Sequence, residues 1–401
     1  KRLRKMGFTE EQLSGDFHIP TMSIENEAAI PYNSLKKEIE LDISGTDDRN
    51  NLSRLNMWVN DVPVFGMNGI DLSGKASQNV RMNLSVRLSD GLNKIQVSVL
   101  NDKGGESLKS TKFVYYKSEE GIKHRLFLLT IGVSHFSNKQ HNLDYAAKDA
   151  ADMVSLFNRH KDSFSSVETM TISNEKATKE NIIAARDFLS GSTEDDFVIV
   201  FMASHGLLDK DLNYYLATFD TDFNNPAKRG LPYEELEMVM DRIKSRKKVL
   251  LIDACHSGEV DKDDGVMLAG VTPASETGGK GQPKVKSRGF KTAGTYSLGI
   301  GSSFEVMKEM FADLRRGTGA TVISSAGGAE YALESAQWNN GVFTYSIIEG
   351  IESGNADQNK DGHISVGELK NYTSRQVQKW TNGKQNPTSR TENLEFNFNL
   401  F

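Results

Sequence analysis

The sequence holds one cysteine and eight prolines, no apolar run long enough to cross a bilayer, and no excess of positive charge. Each shortage excludes something. A single thiol rules out an internal disulfide framework and fits, without requiring, a reducing compartment. A spanning helix needs about eighteen or more consecutive apolar residues, so no membrane span is expected. The formal net charge of −6 provides no basic footprint for nucleic acid. What remains is a chain of 401 residues, 37% hydrophobic and 25% charged, with the composition of a soluble globular protein of two or three domains. A cytoplasmic location is the expectation, although a chain beginning at Lys1 leaves secretion with a removed signal peptide open.

Residues 1–20 start basic (Lys1, Arg2, Arg4, Lys5) and suggest a linker or tail. From 21 to 118 the apolar residues recur with period two: Ile39, Leu41 and Ile43; Leu55, Met57 and Val59; Met82, Leu84, Val86 and Leu88; Ile95, Val97 and Val99; Phe113 and Tyr115. Turn residues separate the runs, notably Asn60-Asp61, Ser89-Asp90-Gly91 and Asp102-Lys103-Gly104-Gly105. Short alternating strands at this spacing predict an all-β sandwich, serving as a spacer or as a contact for a regulatory protein. Its pattern resembles the immunoglobulin-like modules that precede protease domains, without a diagnostic motif.

After the polar break at Lys117-Ser118-Glu119-Glu120-Gly121, strands alternate with helices over 122–401, which predicts an α/β sheet with helices on both faces. Strands are expected at 126–133, 197–204, 249–254 and 320–326. Helices are expected at 144–160, from Pro232 at the first helical position, and at about 303–316, 341–352 and 366–380. Residues 259–302 are rich in Gly, Lys, Ser and Thr with little periodicity, and include Lys280, Lys284, Lys286, Arg288 and Lys291. An insert of that length in a compact domain is usually functional or disordered.

Two of the strands end in residues able to do chemistry. Val249-Leu250-Leu251-Ile252 runs into Asp253-Ala254-Cys255-His256-Ser257-Gly258, and the run from Phe197 ends in Ala203-Ser204-His205-Gly206. A lone cysteine closing a strand is most often an inert small hydrophobe. A histidine at the end of a second strand changes the balance. His205 can take the Cys255 proton and return one to a leaving amine. The backbone N–H groups of Gly206 and Cys255 can bind the oxyanion. His256 points to the other face of its strand, and His135 and His141 have no companion motif.

His-Gly after one strand and Asp-Ala-Cys-His-Ser-Gly after the next resemble the caspase/metacaspase group of cysteine peptidases. The separation of fifty positions between His205 and Cys255 matches the known caspase signature. The resemblance covers about 122–380 and includes Ile131-Gly132-Val133, Ala147-Lys148-Asp149-Ala150 and Gly341-Val342-Phe343-Thr344. It implies a caspase-like fold and peptide hydrolysis. Animal caspases read Gln-Ala-Cys and bind an aspartate with arginines, whereas here Asp253 stands two residues before Cys255. With Asp149 it resembles the acidic S1 pocket of metacaspases, which implies a protein or peptide substrate cleaved after Arg or Lys. A helix-start charge favoured by the dipole is the plainer account of Asp149. With that specificity, the basic insert that follows Cys255 offers several Lys/Arg bonds, and self-cleavage is expected within 260–292.

The stretch from Asp357 to Glu368 fits a twelve-residue EF-hand loop. Asp357, Asn359 and Asp361, the carbonyl of His363, Ser365 through water and bidentate Glu368 would bind calcium, with a purely structural turn as the alternative. Asp220, Asp222, Glu234, Glu235 and Asp261 loosely match a second acidic cluster that metacaspases use for calcium. No organic cofactor is expected. The competing readings are a protease-dead scaffold that binds through the sandwich and calcium loop, and acyl transfer by the same dyad.

Overall fold

The computed structural model describes residues 18–118, 123–211, 213–255, 285–287, 317–327, 332–390 and 397–401. Two hydrophobic cores organise them, one spanning Ile24 to Val114 and the other Leu126 to Leu400. Around the first core lie two sheets. One has the order β1 (Thr21–Ile24), β3 (Glu38–Thr46), β7 (Asn79–Arg87). The other runs β2 (Asn33–Ser34), β9 (Ser110–Tyr116), β8 (Gly91–Asn101), β4 (Leu52–Val59), β5 (Val62–Pro63), with β6 (Ile70–Asp71) also on β4. The alternation predicted for β3, β4 and β8 is present, with Leu41, Ile43, Leu55, Met57, Val59, Ile95, Val97 and Val99 all buried. In β9 it is inverted. Val114 is fully buried, while Phe113 and Tyr115 are 44% and 39% exposed. Period-two spacing fixes which residues share a face and leaves open which face turns inward.

The second core is built on one six-stranded sheet in the order β11 (Val167–Ser173), β10 (Leu126–Gly132), β12 (Phe197–Ala203), β16 (Lys247–Asp253), β18 (Thr321–Ser324), β21 (Thr388–Arg390). The first five are parallel, and β21 closes the edge antiparallel to β18. β10, β12 and β16 are almost wholly buried, which is why they read as continuous apolar runs. Helix α1 (Ala146–Arg159) follows β10 and packs on β10, β11 and β12; α2 (Lys179–Ala184) and α3 (Arg186–Leu189) lead into β12. The chain leaves β10 to one side and returns past it, so right-handed crossovers place α1 and the α2–α3 pair on opposite faces. The predicted Pro232 helix is shorter than expected. Pro232 pairs with Tyr215 as part of β15 (Leu231–Pro232), and α4 (Tyr233–Met238) begins after it. Helices α5 (Val342–Glu352) and α6 (Val366–Trp380) pack on each other and match the ranges expected for them.

Two small sheets rise beyond the ends of the main strands. One is β13 (Gly206–Leu208), β14 (Tyr214–Leu216) and β15; the other is β17 (Val285–Ser287), β19 (Leu333–Ser335) and β20 (Asn340–Gly341). β17 lies within the insert that the sequence suggests is without regular structure, so three of its residues form a strand. The rest of the insert, the helix expected at 303–316, His256 and Asp261 lie outside the described residues.

Polar contacts join the two cores. Lys37 Nζ meets Asp195 Oδ2 at 2.8 Å, Asp90 N–H donates to Asp195 Oδ1 at 3.0 Å, and Met67 N–H donates to Asp241 Oδ1 at 2.8 Å. Arg246 is buried and donates to Ser89 Oγ at 2.7 Å, to Asn93 Oδ1 at 3.2 Å and to the Arg87 carbonyl. Burial lowers the pKa of Arg246 to about 10, which still leaves it charged at neutral pH.

Candidate active site

Parallel register brings the two candidate residues to neighbouring strand ends. Ala203 of β12 pairs with Asp253 of β16, so His205 and Cys255 each lie two residues beyond a matched pair. The chain leaves β10 toward β11 on one side and later fills β12 on the other. That makes the carboxyl ends of β10 and β12 a topological switch point, where open α/β sheets form their clefts.

Each side chain is tightly held. His205 is 5% exposed, and its Nε2 lies 2.8 Å from the carbonyl oxygen of His141. A carbonyl only accepts, so Nε2 carries the proton in this contact. The rings of Phe136 and Phe223 stand 5.3 and 5.5 Å away and fix the imidazole plane. Cys255 is fully buried, and its Sγ accepts the Ala332 N–H at 2.8 Å. Tyr214 donates its hydroxyl to the Cys255 carbonyl at 3.0 Å. Burial, and then the neighbouring thiol, raise the Tyr214 pKa well above its ordinary 10.0, so the phenol stays a donor. Gly206 has a reason that the motif alone does not reveal. A Cβ there would lie 1.8 Å from the Cys255 carbonyl oxygen and 2.3 Å from the Tyr214 hydroxyl. The glycine therefore lets β13 close against the backbone of Cys255.

The two acidic residues come to opposite sides of one turn. Asp149, in the first turn of α1, accepts Asn340 Nδ2 at 2.8 Å and the Gly341 N–H at 3.2 and 3.3 Å. Asp253 accepts the Thr344 hydroxyl at 2.7 Å, and both carboxylates are fully buried. These neutral donors orient the two carboxylates. Sequence reasoning missed two participants. Glu334, fully buried in β19, accepts the N–H groups of Asp144 and Tyr145 at 2.9 and 3.3 Å, adding a third carboxylate beside the start of α1. His141 contributes a main-chain carbonyl, which no side-chain pattern reveals; its ring stacks on Phe223 at 3.7 Å.

Residues 125–399 match the family profile of the caspase domain. The chain belongs to the caspase family. It is a caspase-like cysteine peptidase, and its substrate is accordingly protein or peptide. No curated protein matches it. Among solved structures, a protein from Geobacter sulfurreducens is 13% identical over 66% of this chain and 92% of that chain, with a TM-score of 0.41. The fibronectin(III)-like modules of Clostridium thermocellum CbhA are 15% identical over 27% of this chain and 53% of that chain, with a TM-score of 0.21. Both scores are low, and nothing about this peptidase rests on them. No helix among the described residues is long and apolar enough to cross a membrane.

In the caspase-like peptidase the EF-hand-like loop lies between α5 and α6. Gly362 adopts φ +84° and Lys360 φ +61°, which bends the loop around Asp357. Asp357 accepts the Asp361 and Gly362 N–H groups at 3.2 and 2.9 Å, and Asp361 accepts that of His363 at 2.8 Å. Glu368 and Ser365 form a capping box at the start of α6, with further N–H bonds from Gln358 and Asn359 to Glu368. The donor set of Asp357, Asn359, Asp361, the His363 carbonyl, Ser365 and Glu368 is all hard oxygen, which suits calcium. Three members of the loose second cluster form ion pairs. Asp220 pairs with Arg229, Glu235 with Lys179 at 2.7 Å and Asp222 with Lys228 at 3.8 Å. Among the described residues the single trio of converging ligand side chains is His18, Asp47 and Asp48. There His18 bonds Asp47 and Asp48 at 3.0 and 2.9 Å and ties the start of the described chain to the loop after β3.

Proposed function

We propose that this peptidase cleaves chains after Arg or Lys through a Cys255/His205 dyad. The observation that carries the reading is the pair of fully buried carboxylates, Asp149 and Asp253, both held by the segment 340–344, with Asp253 two residues before Cys255. Carboxylates beside a substrate site attract a cation, which favours Arg or Lys at P1. In the reaction His205 Nδ1 takes the Cys255 proton. The sulfur attacks the carbonyl carbon, and backbone N–H groups of Gly206 and Cys255 receive the oxyanion. The protonated imidazole then delivers its proton to the leaving amine, and water hydrolyses the thioester. The test is a set of fluorogenic peptides that differ only at P1 (Arg, Lys or Asp). Arg and Lys members should turn over fastest, and Asp253→Asn should lower their kcat/KM by roughly 30-fold, the effect of losing about 2 kcal/mol of charge pairing. Fastest turnover of the Asp member overturns the assignment.

The same specificity directed at the chain's own basic insert makes it self-processing, with cleavage within 260–292. Arg288, the next basic residue in sequence after β17, is the first bond to examine. New N-termini should appear on incubation and be absent from Cys255→Ala. Calcium regulation belongs to the same reading. Asp357, Asn359, Asp361, His363, Ser365 and Glu368 would hold the ion and stiffen the connection between α5 and α6. The segment 21–118 is then an immunoglobulin-like spacer domain whose outer faces are available to a regulatory protein, and 122–401 is the catalytic domain.

A further inference from the structure

The chain that delivers the nucleophile stays fastened beyond the last ladder pair of β16. In the sheet β16 lies between β12 and β18, and from Asp253 onward successive carbonyls turn to alternate sides. The Asp253 carbonyl accepts the Ser204 N–H at 3.3 Å, on the β12 side. The Ala254 carbonyl accepts the Ser325 hydroxyl at 3.1 Å, on the β18 side. The Cys255 carbonyl returns to the β12 side, where it accepts the Tyr214 hydroxyl and lies against Gly206.

Ser325 is itself fixed in front and behind. It is fully buried one residue past β18, its N–H donates to the Ile252 carbonyl at 2.8 Å, and its own carbonyl accepts Gln385 Nε2 at 2.7 Å. A trans peptide group is planar, so its N–H and C=O point in opposite directions. No cis peptide occurs among the described residues. With the Ala254 C=O drawn toward β18, the N–H of the same group, which belongs to Cys255, points toward β12 and its continuation into His205 and Gly206. The other polar groups of Cys255 have separate holds: Tyr214 at 3.0 Å on the carbonyl and the Ala332 N–H at 2.8 Å on the sulfur. The Ser325 bond therefore controls one thing, the direction of the Cys255 N–H.

We propose that Ser325 is a positioning residue for peptide hydrolysis, its hydroxyl turning the Ala254–Cys255 peptide group so that the Cys255 N–H meets the oxyanion. The proposal deepens the dyad reading and rests on its assignment of that N–H as an oxyanion donor. An oxyanion donor acts on the transition state and not on the bound substrate, so its misdirection lowers kcat and spares KM.

The test compares Ser325→Ala with the unsubstituted chain at a temperature where circular dichroism shows both folded. On whichever P1 peptide turns over fastest, kcat should fall roughly tenfold, part of the about 100-fold lost with a whole oxyanion donor, with KM unchanged. Alkylation of Cys255 by iodoacetamide should keep its rate, because that displacement joins sulfur to a CH2 carbon, expels iodide and develops no oxyanion. Unchanged kcat overturns the proposal. So does a parallel fall in kcat and alkylation, which would mean a displaced thiol. A readout free of turnover uses the lone cysteine, since labelling cysteine with heavy nitrogen gives one amide resonance. In Ser325→Ala it should broaden or split as the peptide group samples a second direction; a single resonance as sharp as the parent's overturns the proposal. The underlying reading has its own control. Turnover surviving in Cys255→Ala refutes the dyad, whereas an inactive Cys255→Ala beside a fully active Ser325→Ala refutes the Ser325 assignment alone.

Discussion

At the residue scale, the tightest constraint among the described glycines is the hydrogen at Gly206, since any Cβ would overlap the Cys255 carbonyl and the Tyr214 hydroxyl. Gly206→Ala must push β13 away from Cys255, and displacements of about 1 Å at a reacting centre cost roughly 100-fold in rate. That loss of kcat/KM, with a measurably lower melting temperature, is the expected outcome; a fully active alanine variant would mean that the strands are not in contact during turnover. The placement of His205, Cys255 and Asp253 at strand ends and of Asp149 in the first turn of a helix was legible in the sequence, because each follows or closes an apolar run. The carbonyl of His141 was not, because main-chain groups leave no mark on residue choice. Glu334 was hidden for a different reason: a charge in a three-residue strand reads as a solvated edge until burial is known.

At the element scale, the loop between α5 and α6 makes one of the proposed calcium ligands, Glu368, part of the helix cap. Burial raises the Glu368 pKa, but hydrogen bonds from Ser365, Asn359 and Gln358 outweigh it and hold the carboxyl below its ordinary 4.5. A depressed carboxylate contributes stability above its unfolded value. This cap is therefore intact at neutral pH and is lost as the pH falls below 4.5 through the lower folded value. Calcium at a concentration well above its dissociation constant should raise the melting temperature by roughly 3 °C or more, and Asp357→Ala should remove that rise. A calorimetric scan with calcium and with chelator checks it; identical scans would leave the loop a structural turn. The loop was readable because its spacing is rigid. The face of β9 was not, because Phe113 and Tyr115 satisfy the alternation as well as Val114 does, and only the assembled sheets show which set is enclosed.

For the whole molecule, the contacts between the two cores meet the main sheet at the start of β16, seven residues long, whose far end leads into Cys255. Burial raises the pKa of Asp195, yet hydrogen bonds from Lys37 and the Asp90 N–H bring it below its ordinary 3.8. Its contribution is fully present above 3.8 and disappears as the pH falls through the depressed folded value, so acid should loosen the junction. Arg246→Met leaves Ser89, Asn93 and the Arg87 carbonyl without their buried charged donor, and should destabilise the chain by about 2–4 kcal/mol. Chemical denaturation at neutral pH measures this. An unchanged midpoint would make the N-terminal sheets a tethered passenger rather than part of one structure. The two-part architecture was legible from the change of hydrophobic period near residue 120, whereas the junction was not, because Arg246 looks like one more surface cation before a strand.

The cover over Cys255 also bears on how the enzyme survives oxidants. A thiolate attacked by peroxide becomes a sulfenic acid, and further oxidation to the sulfinic state is irreversible without a dedicated repair system. Many redox-exposed enzymes escape by closing a disulfide with a second cysteine, but this chain has none to offer. Its protection is steric: Ala332 lies against the sulfur, and the thiol is fully buried. Burial thus shields a group that no second cysteine of this chain could rescue once it is oxidised.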